Sequence, residues 1–372
     1  MERILNYKAL ALVCSSKGIS PANLAKKLDV SREAVSKWLN GEAMPRPDKI
    51  LKLGLLLKVK YSDIVTEKED DHSPVVAYRK KAHHKTDITH IQEAENMGML
   101  LEKLVPYLPF NQYQSLPTLE NPVNDYVYLQ KVSAALRHEL GITASKELDY
   151  SRLIGKFTQL NTVLIPVFWG AKNYHSHGLH VYLPSSKTNW IYLNLDALMH
   201  DFKFWMAHEL GHVYAPALRD DDGENFADAF AQSLLFPECL AKQTYQELGR
   251  MRLVSQRISH LIAIAEQFVI SPYTIIKAVE AYVNHHQLKP ISLGNYGAVT
   301  NFNKTSPSVG NQIFNHQKPD AKTYIVQGKK IFDTPFFDAL KKYLAAHGPK
   351  DSYVQQVMQI PLIDAKALTK EL

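Results

Sequence analysis

One stretch constrains the fold more than any other: residues 204–237, with the sequence FWMAHELGHVYAPALRDDDGENFADAFAQSLLFP. His208 and His212 are four residues apart, so on a helix they lie one turn apart on one face, where both imidazoles can reach the same ion. Glu209 is rotated by about 100° around that helix, which keeps it off the ion but near enough to accept a proton from a water molecule. The neighbouring residues are mostly apolar, which predicts a buried helix. A surface helix that carries two histidines without a metal is the alternative.

A second helix follows, and it carries two acids four residues apart, Glu224 and Asp228. Glu224 lies twelve residues after His212. At this spacing the glutamate is expected to bind the metal, while the aspartate orients a ligand histidine. Zinc suits two neutral imidazoles and one carboxylate, and it leaves a fourth position for water. We therefore expect one Zn²⁺ per chain, with His208, His212 and Glu224 as its ligands.

The run MAHELGH…ENFADAFAQSLLFP resembles the ImmA/IrrE family of metallopeptidases, and the resemblance covers roughly residues 125–285. It implies a zincin-like domain, with a small antiparallel sheet and an HExxH helix, that acts as a gluzincin-like zinc metalloendopeptidase. Glu209 would be its catalytic base. Members of the family cleave DNA-binding repressors or related regulators in response to damage or stress. The resemblance therefore implies a protein substrate, either a transcription regulator or an antitoxin.

One position of the second motif departs from the family. Members usually have a glutamate directly before the alanine of this motif, where the present chain has Phe226. Glu224 is the glutamate that remains on this helix, and we assign it as the third ligand. Asp221 and Asp222, in the preceding loop, are the alternative ligands.

The positive charge of the chain is confined to one end. Residues 1–65 contain 12 Lys and Arg against 6 Asp and Glu, an excess of six that equals the net charge of +6 of the whole chain. The rest of the chain is therefore formally neutral. A charge excess confined to one small segment favours a polyanionic partner for that segment alone.

The same segment is predicted to form five short helices over residues 4–65. Ser20 and Ser31 are placed to cap two of them, and the second of these, at 32–39, follows a tight turn. Such a pair predicts a helix-turn-helix whose second helix enters the major groove. The run LAKKLDVSREAVSKWLNGEAMPRPDKILKLGLLL resembles the XRE family of DNA-binding domains, which implies double-stranded DNA as a partner. By that resemblance the residues that read bases are Arg32, Glu33 and Lys37, and those that contact phosphate are Ser36 and Arg46.

The fold class predicted for the whole chain is α+β. The acidic, polar run TEKEDDHSP at 66–74 indicates a domain boundary. In the last 82 residues, Gln327-Gly328-Lys329 predicts the turn of a β-hairpin, and residues 336–348 a helix. The predicted division is a helix-turn-helix domain at 1–66, a linker and long helix at 67–123, the metallopeptidase domain at 124–290 and a C-terminal module of unknown role at 291–372.

Two further groups of histidines are predicted to be structural. His83, His84 and His90 suit the solvated basic start of the long helix better than a metal cluster. A role in strands and turns is preferred to one in stabilising an oxyanion for His175, His177, His180 and Tyr214.

Two cysteines exclude a disulfide framework, and the apolar runs are far too short to cross a bilayer. Together with the absence of a recognisable signal peptide, this predicts a cytoplasmic protein that does not associate with membranes. The function predicted is that of a DNA-binding regulator with zinc endopeptidase activity, with the strand WIYLNL available to pair with an extended substrate. The alternative is a transcription factor whose metallopeptidase-like domain senses a ligand or partner without catalysis. A homodimer remains open.

Overall fold

The computed structural model describes residues 3–5, 7–40, 43–57, 59, 64–67, 75–77, 96–110, 117–169, 178–218, 220–294, 297, 301–302 and 305–372. The chain divides into two compact units, Met1–His72 and Ser73–Leu372. The division falls inside the acidic, Pro-terminated run that predicted a boundary, six residues beyond the predicted end of the first domain.

The first unit is built from short helices around a small apolar core. Its elements are β1 (Arg3–Leu5), α1 (Tyr7–Ser16), α2 (Pro21–Leu28), α3 (Arg32–Leu39), α4 (Pro47–Leu57) and β2 (Val65–Glu67). The two strands pair antiparallel and join the ends of the unit. The prediction was five helices; the structure describes four, and residues 60–63 lie outside the described ranges.

The second unit surrounds a four-stranded sheet with helices. Its first part contains β3 (Val75–Ala77), α5 (96–102), a 3₁₀ turn (Val105–Tyr107), α6 (Tyr126–Glu139), α7 (Tyr150–Gln159), β4 (Thr162–Val167), β5 (Gly178–Leu183) and β6 (Thr188–Asn194). Its second part contains α8 (Met199–Tyr214), α9 (Asp220–Leu235), α10 (Glu238–Arg250), α11 (Val254–Phe268), α12 (Pro272–His285), α13 (Val309–Ile313), α14 (Ala321–Phe332), α15 (Phe336–His347), α16 (Asp351–Met358) and α17 (Leu362–Glu371).

The sheet is mixed, whereas the sequence predicted an antiparallel one. The strand order is β3-β5-β6-β4, and β4 pairs parallel with β6 while the other two pairs are antiparallel. The chain reverses direction once into β5 and again into β6, so β4 and β6 run the same way. Every residue of β4 and β6 is buried, because helices cover the sheet. The strand WIYLNL lies mostly in β6, which is paired on both sides, so the prediction that it receives an extended substrate is wrong.

The described residues from 309 to 372 are mostly helical and share the core of the sheet, and the predicted hairpin is wrong. Residues 321–332 form the single helix α14, whose first turn is capped by the Asp320 carboxylate accepting from the Thr323 amide at 2.7 Å. Gly328 indicated a turn, but it serves helix packing: a Cβ atom there would lie 3.0 Å from the ring of Phe337. The helix predicted at 336–348 is present as α15.

The predicted long helix of the middle segment is described only in part. Helix α5 covers 96–102 and buries Met97 and Leu101, while Met99 is exposed. The three histidines predicted at the start of this helix, at positions 83, 84 and 90, lie outside the described residues. Among the described helices none is by itself long and apolar enough to cross a membrane, and α11 and α12 meet those limits only as a pair bent by 109°.

Candidate metal centre and nucleic-acid interface

Helices α8 and α9 pack against each other at very short range. A Cβ atom on Gly211 would lie 3.0 Å from the Cα atom of Ala227, so glycine is what allows the two backbones to approach. Phe226 is fully buried in the same contact region and stacks on Phe230. This close contact brings the histidines of α8 next to the acids of α9.

His208, His212 and Glu224 form one compact group, as the sequence predicted. The Nε2 atoms of the two histidines are 3.1 Å apart. The two carboxylate oxygens of Glu224 lie 3.5 Å from His208 Nε2 and 3.4 Å from His212 Nε2. Within the described part of the chain, these three residues offer ligand atoms that all lie within 4.8 Å of one another. The arrangement can hold a metal ion.

Asp228 contacts His208 at Nδ1, the ring nitrogen that faces away from His212 and Glu224. Its Oδ1 atom is 2.8 Å from His208 Nδ1, so that nitrogen carries the proton and Nε2 is turned towards His212 and Glu224. The Asp228 side chain is 48% exposed, whereas His208 is 1% exposed. Asp228 therefore orients the His208 ring from the solvent side.

The electrostatics of the group follow from its hydrogen bonds. Burial opposes protonation of His208, but the hydrogen bonds with Asp228 and Glu224 outweigh it and raise the pKa of His208 to about 9. Burial likewise acts to raise the pKa of the Glu224 carboxyl, but its hydrogen bonds with His208 and His212 lower that pKa to about 2. His208 is thus a buried histidine paired with two carboxylates, those of Asp228 and Glu224. These carboxylates can compensate the positive charge of a bound cation.

The two aspartates that the sequence offered as alternative metal ligands lie outside the group formed by His208, His212 and Glu224. Asp221 and Asp222 lie in the first turn of α9 and not in a loop before it; both are exposed, and neither belongs to the compact group. Phe226, at the position where the family usually has glutamate, points about 200° around the helix from Glu224 and into the core. A side chain at 226 therefore faces away from the two histidines, which explains why an apolar residue fits there.

His180 is the site residue whose place the sequence did not predict. It lies within the strand β5, as predicted, but its ring is stacked on that of His212 with centroids 5.8 Å apart, and its Nε2 atom is 2.8 Å from Asn189 Oδ1. Burial and the neighbouring His212 lower the pKa of His180 to about 3, so it stays neutral. Its inward position in an alternating strand was the signal available in the sequence. His175 and His177 lie outside the described residues.

Two further predicted residues lie on α8 beside the group. Glu209 is buried and its charge favours protonation of His208, but it is not among the three ligand residues. Tyr214 is buried with its ring 6.0 Å from that of Phe230, and burial raises the pKa of its hydroxyl. Glu209 is therefore buried, adjacent to His208 in sequence and outside the group of three.

The first unit contains the predicted pair of helices. Ser20 Oγ and Ser31 Oγ accept from amides in the first turns of α2 and α3, at 3.3 and 3.1 Å. Between the helices, Asp29 adopts the left-handed conformation with φ of 51°. Lys49 Nζ donates to the carbonyl oxygen of Leu28 at 2.8 Å and so ties α4 to this turn.

The outer face of α3 is polar and exposed, while Val35 and Trp38 are buried beneath it. Lys37 Nζ and Glu33 Oε1 form an exposed ion pair at 3.0 Å. An exposed pair of this kind contributes little to stability, so both side chains can rearrange towards a ligand. The residues predicted to contact DNA are all exposed: Arg32, Glu33, Ser36, Lys37 and Arg46.

Comparison with known proteins supports a helix-turn-helix in the first unit. Residues 11–64 match a family model described as helix-turn-helix, which confirms the XRE-type domain predicted there. A 26 kDa repressor protein of Escherichia phage HK022 is 30% identical over 105 residues, which cover 27% of this chain and 45% of the repressor. The chain thus matches less than half the length of this relative. No solved structure matches the present chain. The protein carries a helix-turn-helix domain at its N-terminus, followed by a mostly helical unit with a small mixed sheet.

Proposed function

We propose that this protein is a repressor-like, DNA-binding transcription regulator whose second unit is a zinc-dependent endopeptidase. Its substrate would be another protein, a transcription regulator or an antitoxin. The observation that carries the peptidase half is the triangle formed by His208, His212 and Glu224. DNA binding is supported by the helix-turn-helix match and by the repressor of phage HK022.

The dimensions of the triangle suit a tetrahedral ion. Zinc bonded to nitrogen or oxygen at about 2.0–2.1 Å holds neighbouring ligand atoms roughly 3.3–3.4 Å apart. The Nε2 atoms of His208 and His212 are 3.1 Å apart; Glu224 Oε2 lies 3.5 Å from the first and Glu224 Oε1 lies 3.4 Å from the second, so the separations are close to these values but involve both carboxylate oxygens. Two imidazoles and a carboxylate are a donor set that zinc accepts, with a fourth position left for water or substrate. The residues present therefore fit the proposed metal.

The supporting contacts also fit. Asp228 keeps one proton of His208 on Nδ1, so Nε2 is the nitrogen that would release its proton to bind a metal ion, which is the usual arrangement around a metal-bound histidine. The low pKa of the Glu224 carboxyl keeps it ionised, as a ligand must be. Both histidine side chains are buried. These features favour a built metal site over two histidines that are adjacent by chance.

Catalysis would divide between the ion and the chain. A bound zinc ion supplies Lewis acidity, which polarises a peptide carbonyl and acidifies water. Glu209, beside His208 but outside the ligand set, accepts the proton of that water and passes it to the leaving amine. A sensor that only binds a ligand has no need of a buried glutamate at this place, which favours the enzyme over the non-catalytic alternative.

The DNA half follows from charge and exposure. The excess of six positive charges lies in residues 1–65, and the exposed face of α3 carries Arg32 and Lys37. An exposed helix with these side chains can enter the major groove and contact base edges and phosphates. We expect the binding to be specific for a sequence near the gene of this protein or its targets, and to weaken as salt rises.

Two measurements on the full-length protein test the proposal. Zinc content, determined by elemental mass spectrometry, is expected to be one ion per chain. Incubation of the zinc-loaded protein with regulators encoded near its gene is expected to cut one of them at a single site, seen by intact-mass analysis. One zinc per chain with no cleavage of any such regulator would favour the sensor. A protein that retains no metal at micromolar free zinc would contradict the metal centre itself.

A further inference from the structure

One outer edge of the sheet is closed to any additional strand. On β4 the carbonyl oxygens of Leu164 and Pro166 face away from β6 and accept hydrogen bonds from the hydroxyls of Thr334 and Tyr324. Pro166 also lacks an N–H that could pair with another strand. The helical C-terminal segment therefore blocks this edge.

The opposite edge belongs to β5, and the chain's own strand β3 covers it in part. Val75, Val76 and Ala77 pair antiparallel with Tyr182, Val181 and His180. Strand β5 runs from Gly178 to Leu183, so within the described residues β3 pairs with only half of it. The part of β3 that the structure describes makes few ladder hydrogen bonds, and a strand of that length can be replaced by a longer one.

The register places β3 next to the proposed metal centre. Ala77 is paired directly with His180, and the His180 ring is stacked on that of the ligand His212. Strand β3 also lies near α9, the helix that carries Glu224. Paired residues of antiparallel strands are about 4.5–5.5 Å apart between Cα atoms, so an extended peptide on this edge runs close to the metal group.

An extended peptide commonly docks by adding a strand to an exposed sheet edge. The sheet edge nearest to His208, His212 and Glu224 is the outer edge of β5, which β3 covers in part. We propose that β3 is a built-in occupant of this edge, which keeps extended peptides from the metal centre until it is displaced. The inference rests on the proposed peptidase function, because it assigns the edge to the peptide that this centre would cleave. The displacing partner is an extended segment of another protein that pairs along Gly178–Leu183.

A variant that weakens β3 tests the proposal. Adjacent residues of a strand direct their N–H groups to opposite sides, so the double variant Val76→Pro/Ala77→Pro removes a donor towards β5 whichever of the two supplies it. The control Val76→Thr/Ala77→Thr keeps both N–H groups and a high strand propensity. The probe is a fluorescein-labelled peptide of sequence SPVVAYRK, which corresponds to residues 73–80.

Fluorescence anisotropy on the full-length, zinc-loaded protein is expected to show at least tenfold tighter peptide binding by the proline variant than by the wild type or the threonine control. Circular dichroism and zinc content verify that each variant is folded. Equal affinities in folded proteins would overturn the proposal.

A second variant remains informative even if the proline variant fails to fold. Val75 and Tyr182 are paired directly, so Val75→Cys/Tyr182→Cys can form a disulfide that locks β3 in place. It is made with Cys239→Ser, because Cys239 is an exposed cysteine. The oxidised form is expected to lose peptide binding, and reduction to restore it.

Equal binding by the oxidised and reduced forms would overturn the proposal. Peptide binding controlled by β3, with no hydrolysis of any peptide, would keep the occupied edge and contradict the peptidase. Hydrolysis that is equal in the locked and unlocked forms would contradict the occupied edge and keep the peptidase.

Discussion

Replacing Asp228 by alanine probes the proposed metal centre without changing any of its three proposed ligands. Asp228 lies 2.8 Å from His208 Nδ1, and its side chain is 48% exposed. The substitution leaves His208, His212 and Glu224 in place and removes only the group that orients His208. The Nδ1–H group of His208 then loses its acceptor, and zinc binding through Nε2 is expected to weaken.

The size of the effect follows from linkage. Losing such an orienting carboxylate typically weakens metal binding about 10–100-fold. At a free zinc concentration well above both dissociation constants, the stabilisation conferred by zinc falls by RT ln of that factor, about 1.4–2.7 kcal/mol. Asp228→Ala also removes a hydrogen bond from the metal-free protein. The quantity to compare is therefore the gain in unfolding free energy between chelator and buffered zinc.

The assay is denaturant unfolding of the second unit in the full-length protein, with EDTA and with buffered free zinc. The matched control is Asp221→Ala, which removes an exposed carboxylate from the same helix, outside the ligand group. We expect the zinc-dependent gain to shrink for Asp228→Ala and to equal the wild-type value for the control. An unchanged gain for Asp228→Ala would refute the assignment, as would an equal loss for the control.

Three further substitutions test other parts of the account. Arg32→Ala is expected to weaken specific duplex binding by about 1–3 kcal/mol through loss of a base contact, measured by anisotropy; unchanged affinity would remove Arg32 from the interface. Lys49→Met removes the hydrogen bond to the Leu28 carbonyl and should destabilise the first unit by about 1–3 kcal/mol with an unchanged salt slope; a slope smaller by about one would make Lys49 a phosphate contact. Gly211→Ala places a Cβ atom 3.0 Å from Cα of Ala227, so the unfolding free energy should fall by about 1–3 kcal/mol and zinc affinity with it; a neutral result would contradict the close packing of α8 on α9.

The parts of the site that could be predicted depend on local spacing. A helix has a fixed period, so His208 and His212 at i and i+4 must share a face, and Glu224 and Asp228 likewise. The caps Ser20 and Ser31 are local in the same sense, and both helices start where predicted. The group of three residues within 4.8 Å follows once α8 and α9 pack together, and Gly211 marks the contact.

The parts that could not be predicted depend on contacts distant in sequence. Gly328 is compatible with a turn and with close helix packing, and only Phe337 on the neighbouring helix decides for the latter. The pairing of β4 with β6 depends on strand order, which strand periodicity does not specify. His180 lies 32 residues before His212, and its place beside that ring appears only when the sheet meets α8.

The most direct test of the central claim is the zinc content and hydrolytic rate of Glu209→Gln. Both quantities are measured on one preparation of the variant and compared with those of the wild type. Glutamine has almost the shape of glutamate, and Glu209 lies outside the ligand group. Zinc content, circular dichroism and duplex binding should therefore equal those of the wild type. Glutamine cannot accept the proton, so cleavage of a regulator that the wild type cuts should slow by about 10²–10⁴-fold. Unchanged cleavage would contradict the assigned mechanism, and unchanged regulation of target genes in cells carrying Glu209→Gln would contradict proteolysis as the function.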